Sequence, residues 1–344
     1  MNALLKTAIA LGLAALAACA SAPPAPVAPP DWVSGDAARY PAASFLLGRG
    51  AADDLNDAID RARADLAKGL AVEIRVESSD VQTFALDQPD PRTPGASEER
   101  MRLEVSRAIA THTDQLVRGV QIAETWRDPV SKTDHALAVL PRGAAMQSLQ
   151  AELRALDDSV AAGIAGARAA GDPFMAIAAA DRAMRAQLER DSVQRQLQVV
   201  DPSGHGLPGR WSFAQLRSDR NALVTRVRIR PGAAGDEMQA VAVTLAGSLG
   251  EAGFTVVEQG AADYTLAAVL ELGDPALKDG WYWVTGSLEI VLGDMAGQAR
   301  GSHRWDIKTS AQDPALAHRR ALDEVETVLD RELFPTLLSF SGAD

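Results

Sequence analysis

The chain has 344 residues, enough for about two domains, and carries a net charge of −12 with 47% hydrophobic residues. This acidic balance does not favour nonspecific attraction to nucleic acid or to an anionic lipid surface. Its single cysteine, Cys19, excludes an intrachain disulfide and a multi-cysteine metal site.

The N-terminal segment, Met1 to Cys19, is typical of a secretion leader. Lys6 supplies a positive charge, residues 8–16 form an apolar run too short to span a bilayer, and small residues precede the cysteine. The sequence Leu16-Ala17-Ala18-Cys19 resembles the lipobox of bacterial lipoproteins. That resemblance implies cleavage before Cys19, which would then carry a diacylglyceryl group and an N-acyl chain. A buried free cysteine in an ordinary leader is the alternative.

Two features after Cys19 bear on where the folded part would lie. Ala20 stands where an Asp would signal retention in the inner membrane, so the resemblance implies an outer-membrane lipoprotein facing the periplasm. Residues 21–30 contain five of the prolines and predict an extended spacer of roughly 30 Å. A proline-rich ligand for a partner domain is the alternative interpretation of this tether.

The pattern after the tether predicts a small α+β unit. Apolar residues from Leu55 to Leu70 recur at helical spacing, and residues 70–76 alternate in the manner of a half-buried strand. A second helix is predicted after Ser97, with His112 on its apolar face. Strands are predicted at residues 116–126 and 135–140, joined by a turn at Asp128-Pro129.

Several phrases in this unit resemble the LPP20 family of bacterial lipoproteins. They are Pro30-Asp31-Trp32, the element Phe45 to Gly50, the run Val72 to Val76, and Glu124 to Pro129 followed by Ala136 to Leu140. The same region is similar to the N-terminal part of a flagellar assembly protein. The resemblance implies an envelope lipoprotein without established catalytic residues.

A glycine pair, Gly48-Arg49-Gly50, precedes the first predicted helix and invites comparison with dinucleotide-binding loops. Asp53 stands where such loops need a small residue, and no suitable βαβ unit surrounds it. We therefore predict a tight turn into the helix and no cofactor.

The middle of the chain predicts a helical hairpin. Leu149, Leu153, Leu156, Val160 and Ile164 form an apolar seam, and Gly171-Asp172-Pro173 interrupts it with a capping residue and a first-turn proline. The hairpin could pack on the first domain, or its seam could meet a second copy. Residues 201–211, rich in Gly and Pro, indicate a boundary.

The C-terminal part predicts a second α+β unit, which resembles the N-terminal domains of curli-secretion and Tol-type envelope proteins. Strands are predicted at residues 223–230, 264–272, 281–292 and 299–309, with helices after the first and last. The fold class is thus α+β, with two small domains that each place helices on one face of a mainly antiparallel sheet. The predicted divisions are 1–18 (leader), 19–30 (tether), 31–145 (first domain), 146–200 (hairpin), 201–222 (linker) and 223–344 (second domain).

Alternation along the second sheet predicts which side chains face away from the helices. Tyr282, Val284, Leu288, Ile290 and Leu292 would face inward, as would Trp305 and Ile307, while cationic and tryptophan side chains would share the outer face. This face is a candidate surface for an anionic envelope partner, although a merely solvated face would show the same pattern. The predicted surface comprises Arg226, Arg228, Arg230, Trp281, Trp283, Arg300, Arg304 and Lys308.

No catalytic motif stands out. The five histidines, His112, His135, His205, His303 and His318, do not show metal-ligand spacing, and there is no nucleophile elbow or phosphate loop. His112 and His303 are predicted to be core residues. We therefore predict a non-enzymatic binding or assembly component of the cell envelope or of a flagellum, without metal or cofactor. Its predicted partner is an envelope protein or an anionic envelope polymer, and assembly with further copies of itself is the alternative. The alternatives are a membrane-tethered hydrolase of envelope material and a ring-forming component of a secretion or flagellar structure.

Overall fold

The computed structural model describes residues 28–86 and 119–341, and it describes no side chains for residues 72–86. The predicted leader, Cys19 and most of the tether lie outside the described residues, as does the helix predicted after Ser97 together with His112. None of the helices in the described part of the chain combines the length and the apolar character that crossing a membrane requires.

The first unit is a three-stranded antiparallel sheet with helical cover. In chain order it contains α1 (Asp31–Ser34), β1 (Phe45–Ala52), α2 (Leu55–Leu86), β2 (Gln121–Arg127) and β3 (Asp134–Pro141), with strand order β1-β3-β2. The central strand β3 is buried on both faces. Ala136, Ala138 and Leu140 face the core beneath α2, whereas Leu137 and Val139 pack against Trp32 of α1.

The glycine pair allows α2 to approach β1 closely. A Cβ atom on Gly48 would lie 2.6 Å from the Cβ of Leu66, and one on Gly50 would overlap the carbonyl oxygen of Ala58. Gly48 and Gly50 therefore lie within a strand rather than in the predicted turn. Their small size serves helix packing, since any side chain there would displace the helix backbone.

The strand predicted at residues 70–76 is wrong, because α2 continues through them to Leu86. The alternation of Val72, Ile74 and Val76 fits a strand by its period. However, the sequence contains no proline between Leu70 and Leu86. Extending an existing helix forms one further hydrogen bond for each residue added. The lower helix propensity of β-branched residues amounts to only a few tenths of a kcal/mol each.

The predicted hairpin is present as α3 (Arg142–Ala169) and α4 (Pro173–Val200). Asp172 caps α4, accepting a hydrogen bond from the backbone N–H of Met175 at 3.1 Å. The seam residues Leu149, Leu153 and Val160 are 4%, 0% and 0% exposed. They are covered inside one chain, so the alternative that this seam meets a second copy is wrong.

Helix α4 joins the two cores rather than packing only on the first unit. Its first turns place Phe174 and Ile177 in the core of the second sheet, and its last turns place Val193 and Leu197 in the core of the first. Between them Arg190, 2% exposed, donates hydrogen bonds to Asp157 at 2.8 Å and to the Leu207 carbonyl at 3.0 Å. The loop after α4 is therefore tied to the hairpin.

The second unit is a six-stranded sheet with helices on one face. Its elements are α5 (Phe213–Arg226), β4 (Arg228–Gly235), α6 (Met238–Glu251), β5 (Thr255–Val256), β6 (Tyr264–Leu272), β7 (Ala276–Lys278), β8 (Trp281–Asp294), β9 (Ala299–Ala311) and α7 (Pro314–Ser339). Strand β4 runs parallel to β5 and β6, and the other pairings are antiparallel. The predicted α+β class with a helical hairpin is confirmed.

The start of this unit differs from the prediction. Residues 223–226 belong to helix α5, which begins inside the predicted linker, and the strand begins at Arg228. Ser212 caps α5, accepting a hydrogen bond from Gln215 N–H at 3.2 Å. The prediction relied on the alternation of Leu223, Thr225, Val227 and Ile229. In the structure Val224 and Val227 are both buried. Two residues three positions apart share a face at the end of a helix but not along a strand, so the strand prediction is wrong for residues 223–226.

Candidate binding surface on the second sheet

The outer face of the second sheet carries the two predicted tryptophans. On β8 the predicted inward residues Val284, Leu288, Ile290 and Leu292 are fully buried, and Tyr282 is partly buried. Trp281 and Trp283 alternate with them, and Trp281 is 42% exposed. The ammonium group of Lys308 lies 5.2 Å from the ring centroid of Trp283, so a cation and an aromatic ring are presented together.

Acidic residues interleave with the cations on this face. In the β8–β9 register Glu289 stands opposite Arg304, and Ser287 stands opposite Asp306. The guanidinium of Arg304 lies 3.6 Å from a carboxylate oxygen of Glu271 on β6. Because cross-strand neighbours share a face, the surface has mixed charge, whereas the sequence predicted a basic one.

Arg300 lies on the other side of the sheet from Arg304 and Lys308, contrary to the prediction. The β8–β9 register shifts between Leu292 and Gly293, so a bulge reverses the side to which Arg300 points. Its guanidinium forms an ion pair with Asp172 and donates to the Tyr264 hydroxyl at 3.1 Å. It also lies 5.5 Å from the centroid of the Tyr264 ring.

Asp172 is held ionised by this arrangement. Partial burial acts to raise the pKa of Asp172, but the hydrogen bonds from Arg300 and from the backbone N–H of Met175 outweigh it. The pKa therefore lies below its ordinary value. One carboxylate thus caps α4 and ties the hairpin to the second sheet.

The predicted surface also included three arginines on or next to β4, and the structure places each of them in a separate set of contacts. Arg228 makes two side-chain hydrogen bonds to Asp263, at 2.7 and 3.2 Å, which hold the pKa of Asp263 below its ordinary value. Arg230 donates to the carbonyl of Gly260. Arg226 lies in the last turn of helix α5, not on a strand. These residues are not brought together with Trp281 and Trp283 into one cationic patch.

A small cleft, which sequence reasoning missed, lies where the hairpin turn meets the second unit. It encloses about 210 Å³ and is lined by residues of the turn, including Asp172 and Pro173, and by Leu223, Arg226 and Asp263. The Gly171-Asp172-Pro173 turn was visible in the sequence. No local signal could place it against α5 and the loop before β6, because these segments are distant along the chain.

The described histidines occupy separate positions. His303 is exposed on β9 and contacts Trp305 edge-to-face, with ring centroids 4.6 Å apart, so its prediction as a core residue is wrong. The reason is its place on an edge strand, where no further strand shields it. The ring of His135 contacts that of Trp126 at a tilt of 41°, and a ring nitrogen of His318 lies 3.3 Å from a carboxylate oxygen of Glu237. Within residues 28–86 and 119–341, no group of three or more His, Cys, Asp or Glu side chains is placed to hold a metal ion.

Comparison with known proteins gives one family match. Residues 30–141, about a third of the chain, match the model of the LPP20 lipoprotein family. The chain has no match among curated proteins.

Solved structures show distant likenesses. A minor lipoprotein from Acinetobacter baumannii is 11% identical, with a TM-score of 0.28, and the match covers 31% of this chain and 90% of that one. A lipoprotein from Neisseria meningitidis is 16% identical, with a TM-score of 0.22 and coverage of 30% and 97%. A secreted protein from Helicobacter pylori is 11% identical, with a TM-score of 0.38 and coverage of 87% and 99%. Likenesses at these scores carry no argument about function.

The match and the geometry agree on the first unit. The LPP20 region ends at Pro141, the last residue of β3, and contains Trp32 and Glu124, which are joined by a hydrogen bond of 2.9 Å. The predicted resemblance is therefore confirmed, since residues 30–141 match the LPP20 lipoprotein family.

Proposed function

We propose that the protein is an outer-membrane lipoprotein, held through an acyl lipid on Cys19, that acts in the periplasm as a non-catalytic binding or assembly component of the cell envelope. The observation that carries the proposal is the LPP20 match at residues 30–141. It follows a lipobox-like sequence that ends at Cys19 and a proline-rich tether. More than one acyl chain is needed for stable anchoring, which the modification implied by the lipobox would provide.

The outer face of the second sheet is the contact surface that this proposal favours. It presents the exposed Trp281 and the partly buried Trp283 beside Lys308. Tryptophan side chains supply large contact areas with little conformational freedom to lose. Glu271, Glu289 and Asp306 lie on the same face. Mixed charge of this kind supports an envelope protein as the partner more than a uniformly anionic polymer.

Mass spectrometry of the protein from fractionated membranes tests the anchor. We expect cleavage before Cys19 with added acyl mass, and neither in a Cys19→Ala variant. An Ala20→Asp variant should keep the lipid but move from the outer-membrane to the inner-membrane fraction. An unmodified Cys19 in the wild-type protein would contradict the proposal.

Activity assays test the non-catalytic part of the proposal. Protein beginning at Ser21 is incubated with muropeptide, ester and glycoside substrates, and we expect no turnover above that of a heat-denatured sample. Turnover of any of these substrates would instead support the membrane-tethered hydrolase.

A further inference from the structure

Strand β9 leaves one long edge of the second sheet open. It spans Ala299–Ala311, and within residues 28–86 and 119–341 its one pairing partner is β8. Its exposed polar side chains are Ser302, His303, Arg304, Asp306 and Lys308. Among the described residues, no backbone group outside the β8–β9 hairpin bonds to β9. An edge of this length offers a row of backbone donors and acceptors to another strand.

Two hydrogen bonds show which residues of β9 direct their backbone groups to that edge. Gly273 N–H donates to the Thr285 carbonyl at 2.8 Å, so the backbone of Thr285 points toward β6, away from its β9 neighbour Lys308. Arg320 donates to the Ser310 carbonyl at 2.7 Å, so this group also points away from β8. Backbone direction alternates along a strand, so the backbone N–H and C=O groups of Ser302, Arg304 and Asp306 point to the open edge, as those of Lys308 do.

The charges along this edge are self-complementary in an antiparallel register centred on Trp305. If Trp305 lies on a two-fold axis, Arg304 of each copy faces Asp306 of the other, and Ser302 faces Lys308. Moving the axis to Asp306 would oppose two aspartates, and moving it to Arg304 would oppose two arginines. Directly opposite like charges destabilise a strand pair, so both shifted registers are unfavourable. An axis at Ile307 would oppose Asp306 and Lys308, but it would place Arg304 opposite Ser310, whose carbonyl already accepts a hydrogen bond from Arg320. The register centred on Trp305 is therefore favoured.

We propose that β9 pairs with β9 of a second copy of this chain, antiparallel and centred on Trp305, to form a two-fold dimer with one continuous sheet. Arg304 and Asp306 would form hydrogen-bonded pairs across the interface in addition to their ion pairs. The two Trp305 residues would face each other at a non-hydrogen-bonded position, where cross-strand side chains lie closest. A two-fold interface requires a surface to complement itself, which this register satisfies.

The inference rests on the fold of the second unit and is independent of the lipid anchor and of any envelope partner. Its test is a charge-swap cycle in the full chain, purified in detergent, with the protein mass followed by sedimentation as concentration rises. The single variants are Arg304→Asp and Asp306→Arg, and the double variant carries both changes. Both positions are exposed, so we expect the circular dichroism of each variant to match that of the wild type.

We expect the wild-type protein to dimerise with rising concentration. Each single variant should weaken the dimer about tenfold or more, since two attractive pairs become repulsive. The double variant should restore it. The control Ala267→Asp adds an acidic group on the same face of β6 and should leave dimerisation unchanged. A wild-type protein that stays monomeric, single variants that dimerise normally, or a double variant without rescue would each overturn the proposal.

Discussion

Single residues fix how the parts of this chain are held together, and Asp172 shows it most directly. Its carboxylate accepts the capping hydrogen bond at the start of α4 and the ion pair from Arg300 on β9. The capping role could be predicted, because Asp before Pro at a helix start is a local signal. The pairing with Arg300 could not, because it depends on a bulge and on a contact between residues far apart in the sequence.

The ionised form of Asp172 is expected to stabilise the fold at neutral pH. Its pKa is lower in the folded protein than its ordinary value, so its contribution is present above an unfolded pKa of about 3.9 and is lost as pH falls through the folded pKa. We expect Asp172→Asn to lower the free energy of unfolding by about 2 kcal/mol at pH 7. The difference from wild type should shrink as pH falls below about 4.

Urea unfolding at a series of pH values measures this difference. Asp274→Asn is the matched control, because it removes an exposed carboxylate outside the ion pair. A deficit of Asp172→Asn that stays constant from neutral to acidic pH would contradict the electrostatic explanation.

At the scale of elements, close packing of α2 on β1 depends on the absence of two side chains. Glycines at positions 48 and 50 place the strand against the helix backbone near Ala58 and Ala62. The sequence pattern predicted a tight turn into the helix at these glycines. Only the paired elements show that the glycines serve packing rather than a turn.

We expect Gly50→Ala to destabilise the fold by about 1–3 kcal/mol, because the added methyl group would overlap backbone atoms of α2 that cannot move independently. Thermal or urea unfolding measures the change. The control is Gly69→Ala, within α2, where an added methyl group would have no atom within 4 Å. It should be neutral or stabilise the fold by up to about 1 kcal/mol. Equal effects of the two substitutions would be inconsistent with the packing explanation.

Helix α4 is the element that makes the two units depend on each other. Its apolar residues enter the second core at one end and the first core at the other. An amphipathic pattern with one stripe, as predicted for a hairpin on the first domain, would bury one face. Polar residues such as Gln196, which is 0% exposed, are buried as well, so the helical period alone could not reveal the second partner of α4.

At the scale of the whole molecule, function depends on which faces remain open. The described residues leave the outer face of the second sheet and the edge of β9 uncovered, and the tryptophans of that face lie on β8. The ability of this face to bind an anionic envelope partner stays a prediction. Acidic residues lie between the cations on this face, so its net charge alone would attract an anionic partner only weakly. The aromatic rings are therefore the better residues to substitute in a test.

We expect Trp281→Ala combined with Trp283→Ala to lower binding to an envelope partner about fivefold, through the loss of stacking and of the contact with Lys308. Crosslinking of the purified protein to envelope proteins in a membrane extract is measured before and after the change, together with its binding to lipopolysaccharide, peptidoglycan and anionic vesicles. Arg226→Gln is the control, because Arg226 lies on α5 rather than on this face. Unchanged crosslinking to envelope proteins and unchanged binding to all three materials would exclude this face as the contact surface.

The sequence by itself determined the features that local patterns encode. Alternation of period two assigned the inward residues of β8. Helical spacing and the Asp172-Pro173 signal defined the hairpin. The phrases around Trp32 and Trp126 gave the resemblance to the LPP20 family, which residues 30–141 match. These features depend on residues that are close along the chain, where backbone geometry relates spacing directly to direction.

Tertiary structure alone decided the features that depend on neighbouring elements. The continuation of α2 past Leu70, the inward turn of Arg300, the mixed charge around Arg304 and the open edge of β9 all follow from which elements lie side by side and in which register. A shift of one residue moves a side chain to the opposite face of a sheet. The physical reason is that such pairings join residues far apart in sequence, so no local period records them.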